Sequence, residues 1–190
     1  MTDQEIQDLI VSSKGGDQTA FEELVRQHQS YVFALAIRLL SDINEARDIA
    51  QESFIRVWRH LHRYDARMKF RTWLYTIVTN LATDRLRALG REQKRFASPS
   101  AGSEPEDRAE ERDLHDAVAN SEIATVVVNL TRQLPARQQL VFTLRDLEDL
   151  TVAEVAEITG MTPGSIKTNL HFARAKIRAL LLRLYHIDGC

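Results

Sequence analysis

One stretch, Asp48 to Arg87, constrains the fold more than any other. It reads DIAQESFIRVWRHLHRYDARMKFRTWLYTIVTNLATDRLR and holds both tryptophans of the chain. Ala50, Phe54, Val57, Trp58 and Leu61 recur at i, i+4, i+7, i+8 and i+11, the spacing of an amphipathic helix with those residues on its buried face. Asp48, Gln51, Glu52, Ile55 and Arg59 share the other side. A second helical pattern starts near Phe70 and buries Leu74, Ile77, Val78 and Leu81. It shows Arg71, Trp73, Thr76, Asn80, Asp84 and Arg87 outward. The connector Asp65-Ala66-Arg67-Met68-Lys69 is too polar to be core. Similar 3.6-residue spacing recurs along the whole chain, without any convincing strict alternation, so the chain is expected to be all-α.

The net charge of -2 hides blocks of opposite sign. Residues 59–95 carry 10 basic and 3 acidic side chains, and residues 163–187 carry 5 basic and no acidic ones. Acidic segments lie before and between them. Two separate cationic patches suit two contacts with a polyanion, or else are ordinary solvated helix faces. The single cysteine, Cys190, excludes an internal disulfide. No apolar run approaches the length of a membrane span, and MTDQEIQDLI lacks the pattern of a signal peptide, so a cytoplasmic chain is expected.

Three helices are expected before the central stretch ends: residues 3–13, a long one capped by Asp17 or Thr19 and running to about Leu40, and one capped by Asp42. The helix from Phe70 is expected to stop at Gly90. Residues 91–113 hold Pro99, Gly102, Pro105 and many charges but one large apolar residue, Phe96, and read as a flexible linker. Helical spacing resumes over 114–134, and Pro135 suits the first position of the next helix. Thr151 starts a short helix, Gly160-Met161 makes a turn, and Thr162-Pro163 caps a basic helix that buries Ile166, Leu170, Ala173 and Ile177. Together these make a helix-turn-helix.

A helix of that width enters a major groove, where short polar residues reach base edges and flanking Lys and Arg neutralise phosphates. Ser165, Thr168, Asn169, Phe172 and Lys176 lie away from its core face, flanked by Lys167, His171, Arg174 and Arg178. The first cationic patch carries Trp73 and Asn80 among Lys69, Arg71, Arg85 and Arg87. It is either a stacking platform in a cationic groove, as in proteins that hold unpaired bases, or a core tryptophan among solvated arginines. The six histidines form no ligand set, and glycine-rich phosphate loops and nucleophile elbows are absent from the sequence, so no catalytic group, metal or cofactor is expected.

In order along the chain, GDQTAFEELV, DIAQESFIRVW, FRTWLYTIVTN with Asp84 and Arg87, LPARQQLVFTLRDLEDLTVAEVAEITGM and GSIKTNLHFARAKI resemble the extracytoplasmic-function (ECF) sigma factors of bacterial RNA polymerase. The resemblance implies two small helical domains, sigma domain two over 1–90 and a helix-turn-helix sigma domain four over 117–187, joined by a flexible acidic linker over 91–116. It implies a non-enzymatic protein that binds RNA polymerase core, reads the −35 and −10 elements of promoter DNA, and is controlled by an anti-sigma factor.

By position, the resemblance places Asp48, Gln51, Glu52, Ile55 and Arg59 against the polymerase core. The connector from Tyr64 to Phe70, including Lys69, would capture a flipped −10 base, and Arg71, Trp73, Asn80, Asp84 and Arg87 would line the melted strand. Ser165, Lys167, Thr168, Asn169, His171, Phe172 and Arg174 fall on the −35 helix. Arg47 stands where the family usually has an acid, and Asn169 and Phe172 where arginine is common. About 30 flexible residues span roughly 30 Å on average and ~100 Å stretched. A −35 to −10 spacing of about 17 base pairs, roughly 58 Å, lies between those limits. Apart from the resemblance, a helix-turn-helix activator or repressor with a sensory or dimerising first half fits the same residues.

Overall fold

The computed structural model describes residues 2–96 and 122–185, and every regular element in them is helical. Helix α1 spans Asp3–Lys14, α2 Gln18–Leu40, α3 Ile43–His60 and α4 Phe70–Phe96. In the second half come α5 Glu122–Thr131, α6 Ala136–Phe142, α7 Val152–Thr159 and α8 Pro163–Leu184. A 3-10 turn, Leu61–Arg63, follows α3, and a π turn, Thr143–Leu147, follows α6. Residues 97–116 of the expected linker, residues 114–121 of the expected helix and Cys190 lie outside the described residues.

Short polar side chains set the helix starts by satisfying the first amide donors. Thr2 and Glu5 form a reciprocal capping box on α1, Asp17 accepts from the Ala20 amide, and the Asp42 carboxylate accepts from the amides of Asn44 and Glu45. The Glu45 side chain pairs with Arg85 and so ties α3 to α4.

The first four helices pack around Ile10, Leu24, Leu35, Ile37, Leu74 and Val78, each at most 1% exposed. In the second half Val141, Leu144, Val155, Ile166 and Ala173 fill the space between α6, α7 and α8. The two halves are not independent. Helix α7 packs against α4, and the buried apolar residues of both form one continuous cluster.

Three expectations change. Helix α3 buries Ala46, Ile49, Ser53 and Val57, whereas Trp58 is 39% exposed and Ala50 and Phe54 are half-buried. The face read as core has rotated, because Ile43, Ala46 and Ile49 make an equally regular apolar row that fits against α2. Helix α4 runs through Gly90 to Phe96. Gly90 does not take the left-handed conformation, and the good helix formers Arg91-Glu92-Gln93-Lys94 carry the helix past a glycine that costs only about 1 kcal/mol. Pro135 is the residue before α6 rather than its first residue; its carbonyl accepts from the Gln139 amide.

The two faces of α3 predict a contrast between two isoleucines. Ile49→Ala, at 7% exposure, is expected to lower stability by about 2–5 kcal/mol. Ile55→Ala, at 41%, is expected to change it by no more than about 0.5 kcal/mol. Urea unfolding followed by far-ultraviolet circular dichroism measures both; equal losses would reverse the assignment of faces.

Candidate nucleic-acid and protein interfaces

The rotation of α3 opens a groove between it and the start of α2. Its volume is about 740 Å³, and Phe21, Val25, Ala50, Phe54, Ile55 and Trp58 form its apolar wall. The Phe21 and Trp58 rings meet at 4.7 Å with a 55° tilt. Glu22, Gln29, Arg47 and Gln51 rim it. Of the residues singled out on α3, Gln51 and Ile55 line this groove, Asp48 and Arg59 are exposed beside it, and Glu52 accepts from Arg56 at 2.9 Å. The apolar wall escapes a reading of the sequence, because Phe54 and Trp58 fit a core position equally well.

The connector and the start of α4 form a second site around an aromatic cluster. Tyr64 and Phe70 are each 4% exposed, and Trp73 is half-buried. Ring centroids lie at 5.3 Å for Tyr64–Trp73, 5.7 Å for Tyr64–Phe70 and 5.9 Å for Phe70–Trp73. The Tyr64 hydroxyl donates to the Met68 carbonyl at 2.6 Å and accepts from the Gln7 amide at 3.1 Å, while Lys14 donates to the Tyr64 carbonyl at 2.9 Å. Tyr64 and Phe70 are therefore the floor under the connector, and Trp73 is the ring nearest solvent. The connector turns on Asp65, whose carboxylate accepts from the Arg67 amide and guanidinium. Those hydrogen bonds hold its pKa down at about 2. His28, edge-on to Phe70 at 5.1 Å, has its pKa lowered by burial first, with the Arg71 charge adding to the effect.

Along α4, Asn80, Asp84 and Arg87 are exposed, and Arg87 pairs with Asp84 at 3.3 Å. Arg71 and Lys69 reach the second half of the chain instead. Lys69 donates to Glu154 at 3.1 Å. Arg71 donates to the Tyr75 hydroxyl at 3.3 Å, to the Glu148 carbonyl at 3.1 Å and to the Glu148 carboxylate at 3.2 Å. Tyr75, fully buried, donates to that carboxylate at 2.7 Å, and Arg38 on α2 completes the set. Burial, followed by the neighbouring Glu148 charge, pushes the Tyr75 phenol far above its usual range. The spacing of the carboxylates in the sequence suggests that all of them lie on surfaces or in the linker. Glu148, at 6% exposure, is the exception, and the three groups that hold it come from helices more than 70 residues away.

The helix-turn-helix is built as its caps demand. Thr151 and Glu154 form a capping box on α7, Gly160 adopts φ 69° at its end, and Thr162 accepts from the Ser165 amide ahead of Pro163. Lys167, Thr168, His171, Phe172 and Arg174 are exposed, with Ser165 and Asn169 half-buried. The Asn169 amide donates to the Ser165 carbonyl at 2.8 Å. Arg174 is engaged: its guanidinium grips Asp146 with bonds of 2.8 and 2.7 Å. Among the described residues no group of three or more His, Cys, Asp or Glu could hold a metal ion, and no helix is long and apolar enough to cross a membrane.

Comparison with known proteins gives two family matches: Sigma-70 region 2 over residues 24–92 and Sigma-70, region 4 over residues 125–177. The ECF RNA polymerase sigma factor SigW of Bacillus subtilis is 33% identical over 93% of this chain and 96% of its own length. The RNA polymerase sigma-H factor of Pseudomonas aeruginosa is 31% identical over 93% of this chain and 94% of its own. Among solved structures, CnrH in complex with the cytosolic domain of CnrY aligns over 97% of this chain and 99% of its own, with a TM-score of 0.66 at 24% identity, a likeness of fold. The sigma factor RpoE of Bartonella quintana, solved with the anti-sigma factor NepR, covers 89% of this chain and 98% of its own at 20% identity, also with a TM-score of 0.66.

The α7 cap carries a prediction about acid. Hydrogen bonds from Thr151, and then Lys69, lower the Glu154 pKa from 4.5 to about 2. A carboxylate with a lowered folded pKa contributes stability that is complete above the unfolded value and is lost as pH falls through the folded one. Melting temperature is expected to fall between pH 4.5 and 2, and to fall less steeply over that window in Glu154→Gln, as followed by circular dichroism.

Proposed function

The chain belongs to the extracytoplasmic-function sigma factors, and from that premise we propose how its surfaces divide the work. It is an alternative sigma factor that binds RNA polymerase core and directs promoter-specific initiation. It reads the −35 and −10 elements and stabilises the melted −10 strand, in the cytoplasm and without catalysis of its own. The observation that carries this reading is the pairing of an open recognition helix, α8, with a separate aromatic and amide face on α4.

The polymerase side is the exposed strip of α3 formed by Asp48, Gln51, Glu52, Ile55 and Arg59, extended by the apolar wall of Phe21, Phe54 and Trp58 beside it. An exposed apolar groove with a polar rim suits docking of a partner helix. The melted strand runs along α4. Trp73 offers a stacking face and Asn80 a hydrogen-bonding edge, with Asp84 and Arg87 on the same side and Lys69 and Arg71 at the start of the helix. Tyr64 and Phe70 support Trp73 from below and reach a base only if the connector shifts. On α8, Lys167, Thr168, His171 and Phe172 face the −35 groove. Ser165 and Asn169 lie closer to the turn, and Arg174 reaches DNA by leaving Asp146. The sigma factor RpoE of Bartonella quintana was solved with an anti-sigma factor; a protein of that class is the proposed regulator here.

Run-off transcription with purified core on a promoter library tests the whole reading. The chain is expected to co-purify with core and support initiation without another sigma factor; failure of both would favour a plain helix-turn-helix regulator. Asn80→Ala is expected to leave core binding intact and slow promoter opening, and a primary loss of core binding would contradict the division of surfaces. Lys167→Ala is expected to weaken −35 duplex binding across sequences and reduce the salt slope by about 1, measured by anisotropy titrations at several salt concentrations.

A further inference from the structure

Helix α8 keeps one row inward, Ile166, Leu170, Ala173 and Ile177, all buried. The helical period sets Gly164, Thr168, Phe172, Ala175 and Ala179 opposite that row, and all of them are exposed. None of them is charged. Basic side chains stand to the two sides, Lys167, Arg174 and Arg178 on one and Lys176 on the other. Two of these have partners within the chain, since Arg174 holds Asp146 and Lys176 donates to the Gln133 carbonyl. Phe172 is the largest group on the outer strip and is 54% exposed. The His171 ring stands near edge-on to it at 5.6 Å and 69°, which restricts the directions open to it.

The other large apolar groups exposed on α8 and at its end are Leu182, Leu184 and Tyr185. Leu182 and Tyr185 belong with Phe142, Ile177 and Leu181 to a separate groove that Phe172 does not line. Leu182 lies about 15 Å along the helix axis from Phe172. A surface that docks a protein is a contiguous apolar patch, whereas Phe172 stands alone among polar and cationic side chains. On a groove-reading helix such a ring is selective. It has no donor or acceptor for a base edge, so pressing it against guanine, cytosine or adenine strips water from their polar groups and returns nothing. Thymine alone presents a methyl group in the major groove. Thr168, one turn earlier on the same strip, adds a second methyl beside its hydroxyl.

We infer that Phe172 is a specificity-determining residue of the −35 contact: its ring covers the C5-methyl group of a thymine, with the Thr168 methyl beside it. The inference rests on the sigma-factor reading and deepens it by naming one base that α8 selects. The side chains of the helix then act in different ways. Lys167, on the flank, neutralises phosphate whatever the sequence, while Phe172 adds no charge and discriminates by a methyl group. The outer strip carries no guanidinium or ammonium group, so it makes no bidentate contact to guanine O6 and N7. The recognised −35 duplex therefore places a T·A pair under Phe172.

The test selects DNA duplexes, from a pool randomised over a short central stretch, by binding to the full chain with and without purified core. The wild type is expected to enrich a T·A pair at one position. Phe172→Ala is expected to lose that enrichment, and Phe172→Leu, which keeps an apolar group, to retain it. The thymine at that position is then replaced by deoxyuridine, which lacks only the methyl group. Anisotropy titration of the selected duplex is expected to show a loss of about fourfold for the wild type, the worth of one buried methyl group. Phe172→Ala is expected to bind the thymine and uracil duplexes alike, with its salt slope unchanged because no phosphate contact is removed. Equal affinity of the wild type for the two duplexes would overturn the inference. So would an equal loss in the wild type and in Phe172→Ala, or a selection that enriches no sequence in either form. The sigma-factor reading stands or falls on run-off transcription instead. Initiation without a methyl effect sinks the inference alone, and a methyl effect without initiation sinks the sigma-factor reading alone.

Discussion

A carboxylate at 6% exposure between two arginines and a buried phenol decides how the two halves of this chain meet. Its attraction for the guanidinium groups is stronger than in water, because the surroundings are less polarisable. The same surroundings make the unpaired groups expensive, so the cluster is held nearly complete or given up altogether. Around it the interface is lighter. Lys69 reaches Glu154, and the Gln139 amide donates to the carbonyls of Arg38 and Leu39 at 3.1 and 3.3 Å. The C-terminal end of α2, the first turns of α4 and the start of the helix-turn-helix are brought together by polar groups, over an apolar layer contributed by α4 and α7.

Much of the fold was legible because helix periodicity and capping are local. Asp17, Asp42, Thr151 and Thr162 cap where their spacing to the next apolar row says they should. The helix-turn-helix, with its glycine at φ 69°, follows from residues within one short stretch. The α3 helix shows the limit of that reasoning. It carries two apolar rows, and only the shape of α2 and α4 decides which of them is inside. Gly90 shows another limit: a glycine is a stop only when the residues after it are poor helix formers or when a left-handed turn is needed.

The candidate sites divide in the same way. The outward residues of α8 follow from one helix and its period. Trp73 and Asn80 could be placed on a common face, yet whether that tryptophan was core or platform depended on Tyr64 and Phe70 beneath it. The cup around Glu148 could not be read at all. Arg38, Arg71, Tyr75 and Glu148 come from three elements separated along the chain by up to 110 residues, and no periodicity links them. Arg174 carries a milder version of this lesson, since its pairing with Asp146 on the preceding turn is invisible in the spacing of α8.

The chain has two tryptophans, and each of them lies at a different one of the proposed faces. Trp58 stacks on Phe21 at the mouth of the groove on α2 and α3, while Trp73 lies over Tyr64 and Phe70 beside the connector. One indole is 39% exposed and the other is half-buried among rings. The molecule therefore carries its own pair of optical reporters: the redder, more easily quenched emission belongs to the face proposed for protein, and the bluer emission to the face proposed for unpaired bases.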